Sequence, residues 1–269
     1  MPHIPRGQPA AVLRPKAASQ AFEIERIAPR ESLAEFVDYY WLVRWSTPEP
    51  FRQQVVPQPR IQLAAEHGRL LVHGVSRQPF FRSLHGDGHA LGAAFHAAGF
   101  RPFLRSSVGS VSGQVVPAGD LFDIDDAPVA EAILGDRDDS GKIVGLLENY
   151  LELRRPRSDH TATDLTALVA FAEHTPELTR ADELAHHAGL GLRTLQRLFT
   201  EYVGIGPKWV IQRFRLLDAA QAAHTGTDVD WAGLAAHLGF SDQAHLTRVF
   251  AHVVGTPPAA YAREARAEP

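Results

Sequence analysis

Two regimes of hydrophobic patterning divide the chain. Apolar residues first come in short runs, "FRQQVV", "RIQLAA", "RLLVHGV" and "ALGAAF", broken by Pro57, Pro59, Gly68, Pro79 and the Gly-rich "HGDGH". Runs of this length bounded by turn residues predict β-strands, with "HGDGH" as a loop. Helices are expected to close this region after Gly99 and Pro128. Ile143, Leu146, Leu147, Tyr150 and Leu151 then fall at i, i+3, i+4, i+7 and i+8, the stripe of an amphipathic helix of about four turns. Such a stripe packs on its own domain or forms a dimer seam. After it "RRPRSDHTATD", polar, charged and carrying Pro156, is a linker candidate between two apolar-periodic segments. The expected organisation is a disordered tail over 1–20, a β-rich domain over 21–157 and an all-α domain over 158–269.

Within the last part the chain writes nearly the same phrase twice, "TLQRLFTEYVGIGP" from Thr194 and "HLTRVFAHVVGTPP" from His245, with Leu195 and Leu246 separated by 246 − 195 = 51 residues. Solenoids and propellers need three or more copies, so two copies describe a paired module. Each is preceded by an apolar-periodic helix and a glycine: Leu184 and Ala188 before Gly189, Leu234 and Leu238 before Gly239. Helix, glycine, helix is the grammar of a helix-turn-helix motif. Ala185 and Ala235 leave room where two helices cross, and Gly189 and Gly239 supply the left-handed conformation that stops the first helix. The second turn is one residue longer than the first.

Burying the apolar positions turns Arg193, Gln196 and Arg197 outward in one copy and Gln243, Ala244, Thr247 and Arg248 outward in the other. Those residue types suit duplex DNA. Arginine forks onto guanine O6 and N7, glutamine onto adenine N6 and N7, and threonine or alanine offers a methyl to thymine. Lys208 and Arg213 are candidate phosphate anchors.

Charge complicates this picture. Residues 1–157 hold 18 basic and 18 acidic groups, whereas residues 158–269 hold 9 and 13, so the net charge of −4 sits in the C-terminal part. A DNA reader with that balance must gather its few arginines on one face. The absence of cysteine excludes disulfides, thiolate nucleophiles and cysteine metal sites, including a repair methyltransferase fused to such a module. His67, His73, His85, His89 and His96 lack the spacing of a metal site. "FVDYYWLVRW" gathers Phe36, Tyr39, Tyr40, Trp41 and Trp45, which could wall a ligand pocket or fill a core. No apolar stretch approaches the length of a membrane span, and the N-terminal residues lack the apolar centre of a signal peptide, so a cytoplasmic protein is expected.

The stretch from about Leu165 to Tyr261 resembles the DNA-binding domain of AraC/XylS-type transcription regulators. "GFSDQAHLTRVFAHVVGTPPAAY" is similar to that family's second motif and "RTLQRLFTEYVGIGPKWVIQRFRL" to its first reading helix and connector. The resemblance implies seven helices, with a long helix over about Pro207 to Ala223 holding two motifs apart. Gly191 stands where the family often has a serine N-cap. More faintly, "VVPQPRIQL", "VHGVS", "GAAFHAAGF" and "VVPAGDLF" resemble a β-rich domain found ahead of this module in some regulators.

The expected fold class is therefore α+β: a β-rich N-terminal domain followed by an all-α C-terminal domain with two helix-turn-helix motifs joined by a long helix. The expected function is one-component transcription regulation through double-stranded DNA. RNA polymerase, a small-molecule effector and a second copy of the chain are candidate further partners. No membrane partner, catalysis or cofactor is implied. The alternative is a helical interaction or dimerisation protein that leaves DNA alone and carries a small-molecule-binding β-domain.

Overall fold

A computed structural model describes residues 21–223 and 229–267. The expected disordered tail over 1–20 lies outside the described residues. The N-terminal part is an antiparallel sheet of six strands, β1 (Phe22–Ile27), β2 (Val37–Val55), β3 (Gln62–Glu66), β4 (Arg69–His73), β5 (Phe80–Phe95) and β6 (Val115–Pro117), in the order β1-β2-β5-β3-β4-β6. Three helices follow, α1 (Ala118–Phe122), α2 (Ala127–Gly135) and α3 (Ser140–Leu153). Seven more complete the described chain: α4 (His160–His174), α5 (Ala181–His187), α6 (Leu192–Tyr202), α7 (Pro207–Ala223), α8 (Trp231–His237), α9 (Gln243–Val254) and α10 (Pro258–Ala267). The fold class is α+β, with strands and helices segregated along the chain.

The sheet is built on a ribbon of β2 and β5, paired from Val37 with Phe95 to Val55 with Phe80. Strand alternation divides the aromatic run of β2 between two faces. Tyr40 and Leu42 are buried in the core, whereas Tyr39, Trp41 and Trp45 lie half-buried on the opposite face. The indole of Trp41 lies over Gly92, its cross-strand partner, and donates to Gln62 Oε1 at 2.7 Å. Trp45 lies over Gly88 in the same way.

That packing corrects the reading of "HGDGH". The segment is not a loop but the middle of β5, paired with Arg44 to Thr47. Gly88 is there because an indole covers it, and Gly86, with φ of 63°, serves an irregularity where the register shifts between Thr47 and Phe51. Glycine punctuation reads as a loop when the partner that needs the missing side chain is distant in sequence.

One face of the sheet, Phe95 included, packs on Phe100, Phe103 and Phe122, whose rings meet at centroid distances such as 4.8 Å for Phe95 and Phe100. The amphipathic stripe of α3 joins this core: Ile143, Leu147, Tyr150 and Leu151 are buried, so the stripe packs inward. Short 3-10 turns at Arg101–Phe103 and Val108–Val111 stand where closure after Gly99 is expected. In the linker candidate α3 ends at Leu153 and the extended run stops at Asp159, whose carboxylate accepts from the amides of Thr161 and Ala162. The stretch "HTATD" is thus the first turn of α4.

A Cβ at Gly92 would overlap both the Trp41 ring and the Leu63 carbonyl. Gly92→Ala should therefore destabilise the protein by about 1–3 kcal/mol, the range for overpacked sites. Urea unfolding followed by tryptophan fluorescence measures it, and an unchanged midpoint would contradict the packing described.

Candidate nucleic-acid interface

The two motifs stop their first helices alike, hydrogen bond for hydrogen bond. Helix α5 ends at Gly189, with φ of 65°; the Gly189 amide donates to His186 O at 3.0 Å and the Leu190 amide to Ala185 O at 2.9 Å. Helix α8 ends at Gly239, also at 65°, with Gly239 donating to Ala236 O at 3.0 Å and Phe240 to Ala235 O at 2.9 Å. Both are Schellman stops, which require the left-handed residue that glycine provides. Ala185 and Ala235 are 2% and 0% exposed, as helices crossing closely over a methyl group demand.

The repeated phrase has an equally local cause. Helices α6 and α9 each run into a glycine at positive φ, Gly204 at 85° and Gly255 at 83°. Three residues later Pro207 and Pro258 open α7 and α10. Proline is favoured at a first helical position because its missing N–H has no partner to lose there. Helix, left-handed glycine, proline and helix is what the two copies encode.

The helix starts differ. No side chain caps α6 at Gly191, in keeping with the missing serine, whereas the Asp242 carboxylate caps α9 and accepts from the His245 amide at 2.6 Å. His245 turns its ring back onto this cap, with Nδ1 3.1 Å from Ser241 Oγ, and so belongs to the motif's entry. Glu183 plays the capping part for α5, accepting from the amides of Thr179 and Arg180 at 3.0 and 3.1 Å. Asp242 and Glu183 were not singled out in the sequence, although an acid beside the first apolar helical position is the signal that finds such caps.

Leu195 and Phe199 of α6, and Leu246 and Phe250 of α9, are fully buried. With those positions inward, Arg193, Gln196 and Arg197 are exposed on α6, as are Gln243, Ala244 and Arg248 on α9, while Thr247 is half-buried. Each set occupies the N-terminal half of its helix. Lys208 is exposed at the start of α7.

Arg213 is a correction. It is 2% exposed, and its Nε donates to the carbonyl of Pro57 in the N-terminal part. Nη1 and Nη2 have no acceptor among the described residues, and burial pushes the guanidinium down to about 9. A side chain held there does not reach a phosphate. Its basic side chain near the first motif suggests an anchor, while the segment that covers it lies 156 residues away.

Comparison with known proteins agrees with this geometry. Residues 184–264 match a family described as a helix-turn-helix domain, and residues 25–117 match a domain of unknown function. The C-terminal part is an AraC-type helix-turn-helix domain. Across 226 residues the chain is 29% identical to the transcriptional activator NphR of Rhodococcus sp., covering 81% of this chain and 58% of that one. It is 32% identical over 94 residues to the transcriptional activator RhaS of Escherichia coli O157:H7, covering 34% and 33%. The chain thus spans less than two thirds of either relative. Among solved structures, an AraC-type regulator from Chromobacterium violaceum aligns at 26% identity over 41% of this chain and 97% of its own, with a TM-score of 0.36. ToxT from Vibrio cholerae aligns at 8% identity over 90% and 98%, with a TM-score of 0.42.

The Asp242 cap is expected to make the stability of the second motif of this helix-turn-helix domain depend on pH. The bond from the His245 amide, with smaller help from Ser241, Arg248 and His245, holds the Asp242 carboxyl below the usual carboxylate range. A group depressed by folding stabilises the fold above its unfolded pKa and loses that contribution as pH falls through its folded pKa. The melting-temperature difference between wild type and Asp242→Ala should be full above about pH 5 and shrink below about pH 4. A difference independent of pH over that window would show that the carboxylate does not cap the helix.

Proposed function

We propose that the chain is a sequence-specific DNA-binding regulator of transcription that reads two adjacent major-groove segments. One observation carries this reading: two helix-turn-helix motifs with identical stops each leave the N-terminal half of their second helix exposed. Arg193, Gln196 and Arg197 are assigned to one segment and Gln243, Ala244, Thr247 and Arg248 to the next, with Lys208 on the phosphate backbone. Its relatives are named transcriptional activators, which favours activation as the sign of regulation. The β-rich domain over 21–157 would supply effector sensing or dimerisation, and the helical domain over 158–269 would supply DNA reading and contact with RNA polymerase. Such a regulator works in the cytoplasm and has no catalytic step.

The test begins with duplexes selected from a random pool by the full-length chain. On the selected duplex, Arg197→Ala and Arg248→Ala should each cost about 1–3 kcal/mol of specific binding, with helical circular dichroism unchanged. Both variants binding like wild type would reject the assigned faces. No salt-sensitive retention on unselected DNA would favour an interaction protein instead.

The connector adds a geometric demand. Helix α7 is 17 residues long and spans about 25 Å at 1.5 Å per residue, whereas successive groove segments on one face of straight DNA lie about 34–36 Å apart. Two motifs on such a rod sit too close for straight DNA, so the duplex is expected to bend toward the protein. Circularly permuted fragments should then show position-dependent gel mobility. Uniform mobility, with base substitutions that matter in only one half of the site, would support reading by a single motif.

A further inference from the structure

We propose that the β-rich domain is a brace that sets the pitch between the two reading helices, gripping the elements that carry them at the ends away from the reading residues. This rests on the DNA-reading function above. On the first motif, Arg101 of the N-terminal part bonds Glu201 through Nε and Nη2 at 2.9 and 2.8 Å, and Ser112 Oγ donates to Gly204 O at 2.5 Å. Gly109 lies so close to Thr200 that a Cβ would be crowded by it. On the connector, the Pro57 carbonyl holds Arg213. On the second motif, Gln54 Nε2 donates to Val253 O at 3.4 Å, and Gln78 Nε2 lies 3.3 Å from His252 Nε2.

Three features give these contacts a regulatory meaning. Thr200, Glu201 and Gly204 are at the C-terminal end of α6, and His252 and Val253 are at the C-terminal end of α9, whereas the reading residues occupy the opposite ends. The docked domain therefore leaves Arg193, Gln196, Arg197, Gln243, Ala244 and Arg248 exposed, so it cannot act by covering them. What it can alter is the angle between the helices that present them.

The grip is also unequal. Among the described residues, the first motif is held by an ion pair, a short hydrogen bond and a close backbone approach, and helix α9 of the second by two long side-chain contacts. The second motif is thus the adjustable one.

Finally, the brace buries Arg213 with no carboxylate against it among the described residues. A buried cation without a counter-charge penalises the docked state, and replacing it with an apolar side chain of similar length removes the penalty. The contact is built to be released. A signal received by the β-domain then changes how the second helix meets DNA.

The experiment uses the full chain with a series of duplexes, selected as above, in which base pairs are added or removed between the two half-sites. Each added pair rotates one half-site by about 34° relative to the other. For wild type a one-pair change should cost about tenfold or more in affinity, and for Gln54→Ala/Gln78→Ala only about threefold or less, because the second motif is freed. Arg213→Met should shift the profile in the opposite direction, with a steeper loss. Hydrogen exchange without DNA provides an independent arm: amides in the last turn of α9 should exchange faster in the double glutamine variant, with α6 unchanged, and slower in Arg213→Met. Should Arg213→Met fail to fold, the glutamine variant still decides, since both glutamines are at least partly exposed.

Spacing profiles and exchange identical to wild type in the variants overturn the brace while leaving DNA reading intact. If wild type enriches no duplex although the exchange arm behaves as expected, the DNA reading fails, and the role of the brace in setting pitch fails with it.

Discussion

Helix α7 is the constraint on which the rest of the molecule depends. A helix joining two surface motifs would ordinarily show one apolar stripe and one solvated face. Here Val210, Ile211, Phe214, Leu216, Leu217, Ala219, Ala220 and Ala223 are buried together with Arg213 and Arg215. Helices α4, α5, α6 and α10 all pack against α7, and the Pro57 segment covers a further side. A rod enclosed in this way cannot bend without opening a core, so it fixes the distance between the motifs and leaves only their orientation free.

Arg215 shows how closely the motifs are tied to that rod. Its Nη2 lies 3.5 Å from Leu178 O, in the segment that enters the first motif, and a Cβ on Gly239, at the stop of the second, would crowd the same nitrogen and Thr179. The entry of one motif and the turn of the other thus share one side chain. Any rotation of the second motif about α7 is felt there first, and the glutamine contacts of the β-domain with α9 act on the far end of the same motif.

The parts of this arrangement that sequence reveals are those whose causes are local. Gly189, Gly239, Pro207 and Pro258 act within a few residues of themselves, and each stands where the helix boundaries require. The inward and outward positions of α6 and α9 follow from a 3.6-residue period written over a single helix. What misleads is written at long range. Gly88 looks like a loop residue until Trp45, paired with it from another strand, is seen to cover it. Arg213 looks like a phosphate anchor until Pro57 is placed on it. An arginine on a helix carries no local sign of which distant segment will bury it, and its neighbours Lys208 and Arg215 differ in exposure for the same reason.

Burial of two arginines also changes what the negative charge of the helical part means. Of its nine basic residues, Arg213 and Arg215 are withdrawn from the surface and Arg180 is paired with Asp182 at 2.7 Å. Arg193, Arg197 and Lys208 on the first motif and connector, with Arg248 on the second, are the exposed basic groups next to the reading faces. So small a set cannot create the broad positive field that draws many DNA-binding proteins to any duplex. Under the proposed function, nonspecific affinity is low and discrimination rests on whether both small clusters meet their grooves at once. Two-point recognition of this kind is sensitive to the angle between the points, because an arginine fork displaced by an ångström or two no longer matches a base edge. A protein with a strong phosphate grip tolerates such misalignment. One with four exposed cations beside its reading faces does not, and this makes the orientation of the second motif, rather than its charge, the quantity worth regulating.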